Sequence, residues 1–211
     1  MEKTTNSAAL CGYLAQKPEF SHENHGRRFD RFLLEIPRLS GACDVLPVLA
    51  AEDVLDVPLG GGAIQITGQV RSFNSHALTG RKLILSVFAD RIAITDEPPK
   101  NEIALIGTIC KPPILRRTPL GREICDLMLC VVRQYHRTDY IPCIAWGRTA
   151  QELGALPAGS LIELKGRMQS RDYRKVLPDG SAEMRVAYEV SALSASPAET
   201  EEKDCIFDRA W

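Results

Sequence analysis

The chain has 211 residues, 45% of them hydrophobic, and its 26 Lys and Arg residues nearly balance its 27 Asp and Glu residues. This length suits one large domain or two small ones. No stretch approaches the roughly 18 consecutive apolar residues of a membrane-spanning helix, and the apolar run near the start is too short for a secretory signal. We therefore expect a cytoplasmic protein that does not contact a membrane.

The cysteine and histidine pattern argues against a metal centre. The seven cysteines are odd in number and contain no CxxC pair, and His22 and His25 have no cysteine pair at a suitable spacing. We expect reduced thiols and neither metal nor cofactor. The glycine run at 60–62 lacks the Lys-Ser/Thr of a phosphate-binding loop, and no catalytic set of Ser, His, Asp or Cys stands at motif spacing. The chain is therefore predicted not to be an enzyme.

One arrangement of residues occurs twice along the chain. The first five matching pairs are 95 positions apart: Gly12 and Gly107, Pro18 and Pro113, Gly26 and Gly121, Asp44 and Asp139, Pro47 and Pro142. After a three-residue offset, the next matches follow: Gly68 and Ser72 with Gly166 and Ser170. A repeat of this length is a whole domain, so the sequence predicts two domains of one fold.

Both copies are predicted to consist mainly of strands. In the first copy we expect strands at 8–15, 27–37, 43–50, 63–73 and 82–94. In the second copy we expect them at 102–109, 122–132, 140–146, 160–171 and 184–192, with a short helix at 148–154. A Pro178-Asp179-Gly180 turn is expected to join the last two strands as a hairpin.

The order of these elements predicts the fold class. Five strands with one short helix between the third and the fourth are typical of the OB-fold, a five-stranded Greek-key barrel. Gly166 in mid-strand suits the sharp bend that closes such a barrel. The sequence therefore predicts an all-β protein with two tandem OB-folds. The expected parts are 1–94 for the first barrel, 95–101 for a linker, 102–193 for the second barrel and 194–211 for a disordered acidic tail.

The second copy carries aromatic and basic residues near the ends of its strands. OB-folds bind single strands of nucleic acid by stacking bases on aromatic rings along a basic groove. The candidate stacking residues are Tyr135, Tyr140, Trp146 and Tyr173. The candidate phosphate-binding residues are Arg133, Arg148, Lys165, Arg167, Arg171 and Arg174. The alternative for each ring is core filling, but four rings beside so many basic residues favour single-strand binding.

Three stretches of the second copy have the order and spacing of one known family: NEIALIG at 101–107, WGRTAQ at 146–151 and GRMQSRDY at 166–173. They resemble the bacterial single-stranded DNA-binding protein family. The resemblance implies that the four candidate rings stand at the family's base-stacking positions and that Arg148, Arg167 and Arg171 lie along its DNA path. Pro142 stands where family members often have a basic residue, which removes one phosphate contact from the pattern.

The resemblance also implies partners. Family members with two barrels per chain pair as homodimers with four barrels, and an acidic tail with an apolar tip docks replication or repair proteins. Here Phe207 and Trp211 are the candidate tail anchors, although Arg209 interrupts the acidic charge. A merely solubilising tail is the alternative. The family implies a nucleoid-associated protein that coats DNA during replication, recombination or repair.

The first copy lacks the rings of the second. By the repeat offset, the four stacking positions correspond to Ser40, Val45, Ala51 and Ser75. We therefore expect the second barrel to bind single-stranded DNA with little sequence preference and the first to serve mainly as a scaffold, with weaker contacts through Phe73 or His76 as the alternative. Two other functions stay open: a primosomal-type protein–protein module with weak nucleic-acid binding, and RNA binding, because stacking does not distinguish the two sugars.

Overall fold

The computed structural model describes residues 5–55, 61–77, 80–133, 137–177 and 180–198. Within these ranges the first half forms β1 (Asn6–Asn24), β2 (Arg27–Pro37), β3 (Cys43–Ala51), a 3-10 helix (Glu52–Val54), β4 (Ala63–Ala77) and β5 (Gly80–Thr95). The second half forms β6 (Lys100–Ile109), β7 (Ile114–Arg117), β8 (Glu123–Val132), β9 (Thr138–Trp146), α1 (Gly147–Gly154), β10 (Leu161–Val176) and β11 (Ala182–Pro197). No helix in the described part of the chain has the length and apolar character needed to cross a bilayer.

Each half closes into a five-stranded barrel. In the first half the hydrogen-bonded order is β1-β2-β3-β5-β4, and β4 pairs again with β1. In the second half the order is β6-β8-β9-β11-β10, and β10 pairs again with β6. The β3–β5 and β9–β11 pairs are parallel, and the other pairs in the two closed rings are antiparallel. This is the Greek-key barrel of the OB-fold, so the prediction of two tandem OB-folds is confirmed.

A glycine in the fourth strand of each barrel allows its neighbour to approach closely. The strand register shifts at Gly68 in β4 and at Gly166 in β10. A Cβ atom on Gly68 would lie 2.1 Å from the carbonyl oxygen of Phe88, and one on Gly166 would lie 2.2 Å from the carbonyl oxygen of Ser191. A Cβ atom at either position would force the neighbouring backbone to shift, so glycine lets the two strands approach where the barrel closes.

Buried and more exposed side chains alternate along the first half of β10, as the period of two in its sequence predicts. Ile162, Leu164 and Met168 are at most 1% exposed, and they belong to the apolar core that runs through both barrels. Residues of the opposite parity face away from this core, where Lys165 is exposed. The core face of this strand was therefore predicted correctly.

The two barrels are joined by a strand pairing with internal symmetry. Residues 6–11 of β1 pair antiparallel with residues 100–105 of β6, and the pairing is centred on Ala8 opposite Ile103. These two residues are 95 positions apart, so they are equivalent in the repeat. Asn6 therefore faces Leu105, which is the equivalent of Leu10, and Leu10 faces Asn101, which is the equivalent of Asn6. This is the pattern of a twofold-symmetric dimer interface, built here within one chain.

A buried aspartate of the first barrel binds the second barrel across this interface. Asp44 in β3 is 1% exposed. It accepts a hydrogen bond of 2.8 Å from Arg38 Nε, one of 2.7 Å from Arg167 Nη1 and one of 3.2 Å from the Ser170 N–H. The Ser170 hydroxyl in turn accepts a hydrogen bond of 3.0 Å from the Val45 N–H. The two charges on the arginines and the backbone donor compensate for the burial of the carboxylate.

The second barrel repeats this arrangement in the opposite direction. Asp139 in β9 is fully buried and accepts a hydrogen bond of 2.7 Å from the Ser72 N–H of the first barrel. Arg133 Nε lies 2.9 Å from Asp139 Oδ2, and Arg71 Nη1 of the first barrel lies 3.6 Å from the same oxygen. The Tyr140 N–H donates to the Ser72 hydroxyl at 2.8 Å. The repeated aspartates and serines are therefore interface residues.

Several strands are longer than the sequence predicts. β1 continues to Asn24, and β7 was not predicted. The expected linker at 95–101 shrinks to 96–99, because Lys100 and Asn101 belong to β6. The expectation of disorder from Ser194 onward is wrong for residues 194–197, which extend β11 and pair with β10. The tail anchors Phe207 and Trp211 lie outside the described residues.

Candidate nucleic-acid interface

Two of the four candidate rings lie on one outer face of β9. Tyr140 is 47% exposed and Trp146 is 41% exposed, whereas Ile141 and Ala145 of the opposite parity are fully buried. The two rings are six residues apart on the same strand, which corresponds to about 20 Å. Because neither ring fills the core, both present apolar surface on which a nucleobase can stack.

The strand register brings a basic residue to this face that was not among the predicted site residues. Trp146 pairs with Ile124 of β8, and Ile124 pairs with Arg116 of β7. Residues directly opposite one another in a sheet point to the same side, so Arg116 stands two strands, or about 10 Å, from Trp146. A hydrogen bond with Asp126 raises the pKa of Arg116 and holds the guanidinium in place. Its side chain is still 51% exposed.

Arg116 was missed because β7 is short and all four of its residues are exposed. A strand with no buried face gives no alternating pattern, so the sequence did not indicate a strand here. The turn residues gave the available signal: Gly121 has a positive φ of 79°, and the Thr118 N–H donates to the Arg122 carbonyl at 2.8 Å. A glycine turn before a strand is typical of a hairpin, which would have placed Arg116 opposite β8.

Tyr173 and Arg171 lie on a different part of the second barrel. From Arg167 to Val176, β10 pairs with β11 and no longer with β6. Tyr173 is half-buried and stands opposite Arg185, while Arg171 is exposed and has its Nε 3.6 Å from Glu189 Oε1. We call the hairpin formed by residues 167–176 of β10 and residues 182–191 of β11 the two-stranded arm. Tyr173 and Arg171 share one face of this arm. Arg174 is exposed on the opposite face, because neighbouring residues of a strand alternate in direction.

Arg148 and Lys165 are exposed on separate elements. Arg148, at the start of α1 and two residues after Trp146, has a side chain that is 90% exposed. Its Nε donates to Glu152 at 2.8 Å, which is a surface contact one helical turn away. The Lys165 side chain is 66% exposed, with its ammonium 3.5 Å from Glu163. Both cations are accessible to a phosphate, and Arg148 lies nearer to the exposed rings of β9.

Two of the predicted phosphate-binding residues lie at the barrel–barrel interface. The side chains of Arg133 and Arg167 are only 26% and 27% exposed, and each contacts a buried aspartate of the barrel–barrel interface. Sequence reasoning grouped them with the other arginines because the aspartate partner of Arg167 lies more than 120 residues away. Tyr135, the remaining candidate ring, lies outside the described residues.

In the first barrel the corresponding positions carry no aromatic ring. Ala51, the equivalent of Trp146, is 1% exposed and pairs with Phe29. Phe29 is 8% exposed, because His22 of β1 stacks on its ring with a centroid distance of 5.1 Å and an interplanar angle of 12°. Val45, the equivalent of Tyr140, is half-buried at the barrel–barrel interface. Ser40 is exposed, and the side chain of Ser75 lies outside the described set.

The second half matches a known family. Residues 100–195 fit the model described as the Single-strand binding protein family. Single-stranded DNA-binding protein B of Bacillus subtilis strain 168 is 32% identical over 80 residues, which cover 35% of this chain and 71% of that protein. The chain belongs to the single-strand binding protein family. Single-stranded DNA-binding protein A of the same organism is 35% identical over 80 residues, 35% of this chain and 46% of the relative. The chain thus spans about half the length of the first curated relatives that it matches.

A solved structure of the family matches both halves. The wild-type single-stranded DNA binding protein from Thermus aquaticus superposes with a TM-score of 0.73 and 21% sequence identity, covering 95% of this chain and 96% of that chain. At this identity the likeness concerns the fold. It shows that two barrels in tandem within one chain also occur in another protein of this kind.

Proposed function

We propose that this member of the single-strand binding protein family binds single-stranded DNA with little sequence preference, through the second barrel. The observation that carries the proposal is the pair of exposed rings, Tyr140 and Trp146, on one face of β9. Every base has an aromatic face, so stacking tolerates any sequence and contributes about 1–3 kcal/mol per base. The biological setting would be DNA replication, recombination or repair in the cytoplasm, on the nucleoid.

The cations that support this proposal are those with exposed side chains. Arg116 and Arg148 flank Trp146, and Arg171 lies on the arm with Tyr173. Each contact with a phosphate releases counterions, so the affinity should fall as the salt concentration rises. We assign Arg133 and Arg167 to the barrel–barrel interface, since their charges are neutralised by buried carboxylates. No step of this activity requires catalysis or a cofactor.

The family's four-barrel homodimer and the partner-binding tail are part of the same proposal. The internal twofold pairing of β1 with β6 already joins two barrels in one chain, so a homodimer would need a second interface. The molar mass in solution, from light scattering coupled to size exclusion, distinguishes one chain from two. Loss of partner binding after replacement of Phe207 and Trp211 with Ala would support a docking role for the tail.

Fluorescence of Trp146 tests the proposed activity. In a Trp211→Phe background, addition of a (dT) oligomer should quench the Trp146 emission, and added salt should reverse the quenching. Competition by RNA and by duplex DNA of equal length measures the preference for single-stranded DNA. An unchanged emission, together with tight capture of helicase or primase, would contradict single-strand binding and favour the primosomal-type module.

A further inference from the structure

Two cysteines lie close together on neighbouring strands of the second barrel. Cys130 in β8 pairs with Thr108 in β6. Cys110 follows Thr108 by two residues, and its N–H donates to the carbonyl of Met128 at 2.9 Å, which continues the same ladder. Cys110 and Cys130 are therefore diagonal neighbours on one face of the sheet.

The environment of the pair favours a thiolate on Cys130. The thiol of Cys110 donates to the Thr108 carbonyl at 3.8 Å. The side chains of Cys110 and Thr138 lower the pKa of Cys130 to about 7, against the effect of burial. The hydrogen bond with Cys130, burial and the charge of Cys130 raise the pKa of Cys110, and the nearby Lys111 opposes this weakly. Of the two thiols, Cys130 is therefore the one favoured as the reactive thiolate, with Cys110 as its protonated neighbour.

The other described cysteines lack this combination. Cys11, Cys125 and Cys143 are at most 3% exposed, and burial raises the pKa of each thiol. Cys43 is exposed, but a hydrogen bond with Glu35 raises its pKa. In the part of the chain that the structure describes, Cys130 is thus the thiol with a lowered pKa, and a second thiol is its diagonal neighbour across the ladder.

We propose that Cys110 and Cys130 form a reversible redox pair that reacts with low-molecular-weight disulfides. The Cys130 thiolate attacks one sulfur of the oxidant and forms a mixed disulfide, and one thiol leaves. Cys110 then loses its proton, attacks the Cys130 sulfur and expels the second thiol. In sum, the two protein thiols are oxidised to one disulfide, and the oxidant is reduced to two thiols.

The order of these steps follows from the same contacts. Once Cys130 carries an adduct, its negative charge is gone. That charge is one of the causes that raise the pKa of Cys110. Formation of the adduct therefore makes the resolving thiol easier to deprotonate. Cys110 is also exposed and lies just beyond the end of β6, where a small backbone adjustment allows the sulfur atoms to bond.

The position of the pair connects it with the candidate nucleic-acid interface. Cys130 stands directly opposite Tyr140 in the β8–β9 ladder, and such pairs have Cβ atoms about 5 Å apart. A bulky adduct on Cys130 would lie beside the Tyr140 ring and obstruct stacking. Attack by Cys110 removes the adduct and clears this face. The consequence for DNA binding rests on the proposed function, whereas the thiol chemistry does not.

Mass spectrometry of the full chain tests the thiol chemistry. After reduction, brief exposure to oxidised glutathione at neutral pH should give a chain lighter by two hydrogen atoms, and peptide mapping should link Cys110 to Cys130. The Cys110→Ser variant should instead retain glutathione on Cys130, and Cys43→Ser should behave like the parent chain. A stable adduct on the parent chain, or linkage only through other cysteines, would overturn the proposal.

A binding measurement separates this proposal from the proposed function. The glutathione adduct of Cys110→Ser should bind a (dT) oligomer about tenfold more weakly than its reduced form, the equivalent of losing one stacked base. The parent chain with the Cys110–Cys130 bond should keep most of its affinity. If the bond forms but no form of the chain binds (dT), the redox pair stands and the single-strand function fails.

Discussion

The two barrels differ most clearly at the end of their third strand. In the second barrel, Trp146 pairs with Ile124 and is 41% exposed. In the first, Ala51 stands at the same place and is 1% exposed, and its partner Phe29 is covered by the ring of His22. The first barrel thus lacks, at this position, the exposed ring that the second barrel presents. A barrel can keep its core and lose its ring surface because the two lie on opposite faces of the same strands.

The residues that do recur in both barrels belong to their joint interface. Asp44 and Asp139 are buried, and each is bound by a serine N–H and an arginine of the other barrel. The repeat therefore preserves the interface between the barrels. We therefore expect equivalent mutations in the two barrels to have similar effects at the interface and different effects at the ring positions.

The largest effect is expected from removal of a buried interface carboxylate. In Asp139→Ala, Arg133 and Arg71 would lose their counter-ion, and the Ser72 N–H would lose its hydrogen-bond acceptor. Loss of one partner of a buried ion pair costs about 3–5 kcal/mol, and since both arginines are about one quarter exposed, we expect about 3 kcal/mol. Urea denaturation measures the free energy of unfolding.

Asp44→Ala should destabilise the chain by a similar amount. Asp126→Ala is the control, because its ion pair with Arg116 is exposed and should contribute less than about 1 kcal/mol. A large loss of unfolding free energy in only one of the variants Asp44→Ala and Asp139→Ala would contradict the symmetry of the interface.

A smaller and again symmetric effect is expected at the closing glycines. Gly68→Ala and Gly166→Ala each place a methyl group against a backbone carbonyl of the neighbouring strand. We expect each to reduce the free energy of unfolding by about 1–3 kcal/mol, which is typical of overpacking. Thermal denaturation measures the change. Gly62→Ala is the control, since its nearest neighbour would be the Ile94 side chain at 3.5 Å, an ordinary contact. A loss confined to one barrel would show that the two do not close in the same way.

The smallest effect is expected from a single exposed cation. Arg148→Gln should leave stability unchanged, because the Arg148–Glu152 pair lies at the surface. If Arg148 contacts one phosphate, the slope of log affinity against log salt should become less steep by about 0.7. Titrations of a (dT) oligomer at several salt concentrations give this slope. Arg117→Gln is the control in the same barrel, since Arg117 pairs with Glu123 and points away from Arg116. Equal changes of slope in the two variants would argue against a specific path for the DNA.

The two barrels could be predicted from the sequence, but only part of the candidate nucleic-acid interface could. Strand alternation and Gly166 depend on local pattern, and both agree with the structure. The roles of Arg133 and Arg167 depend on buried carboxylates at the junction between the barrels, which no local pattern reveals. β7 was missed because a strand with no buried face leaves no periodic signal.

The central claim is that exposed rings bind DNA in the second barrel and not in the first. Tyr13 and Tyr140 offer a matched test, because both are tyrosines that are 47% exposed, one in each half. The affinity of the full chain for a (dT) oligomer should fall about 5- to 150-fold in Tyr140→Ala, which corresponds to the loss of one stacked base at about 1–3 kcal/mol. It should stay within about twofold of the parent in Tyr13→Ala. Equal losses in the two variants, or no loss in Tyr140→Ala, would contradict the claim.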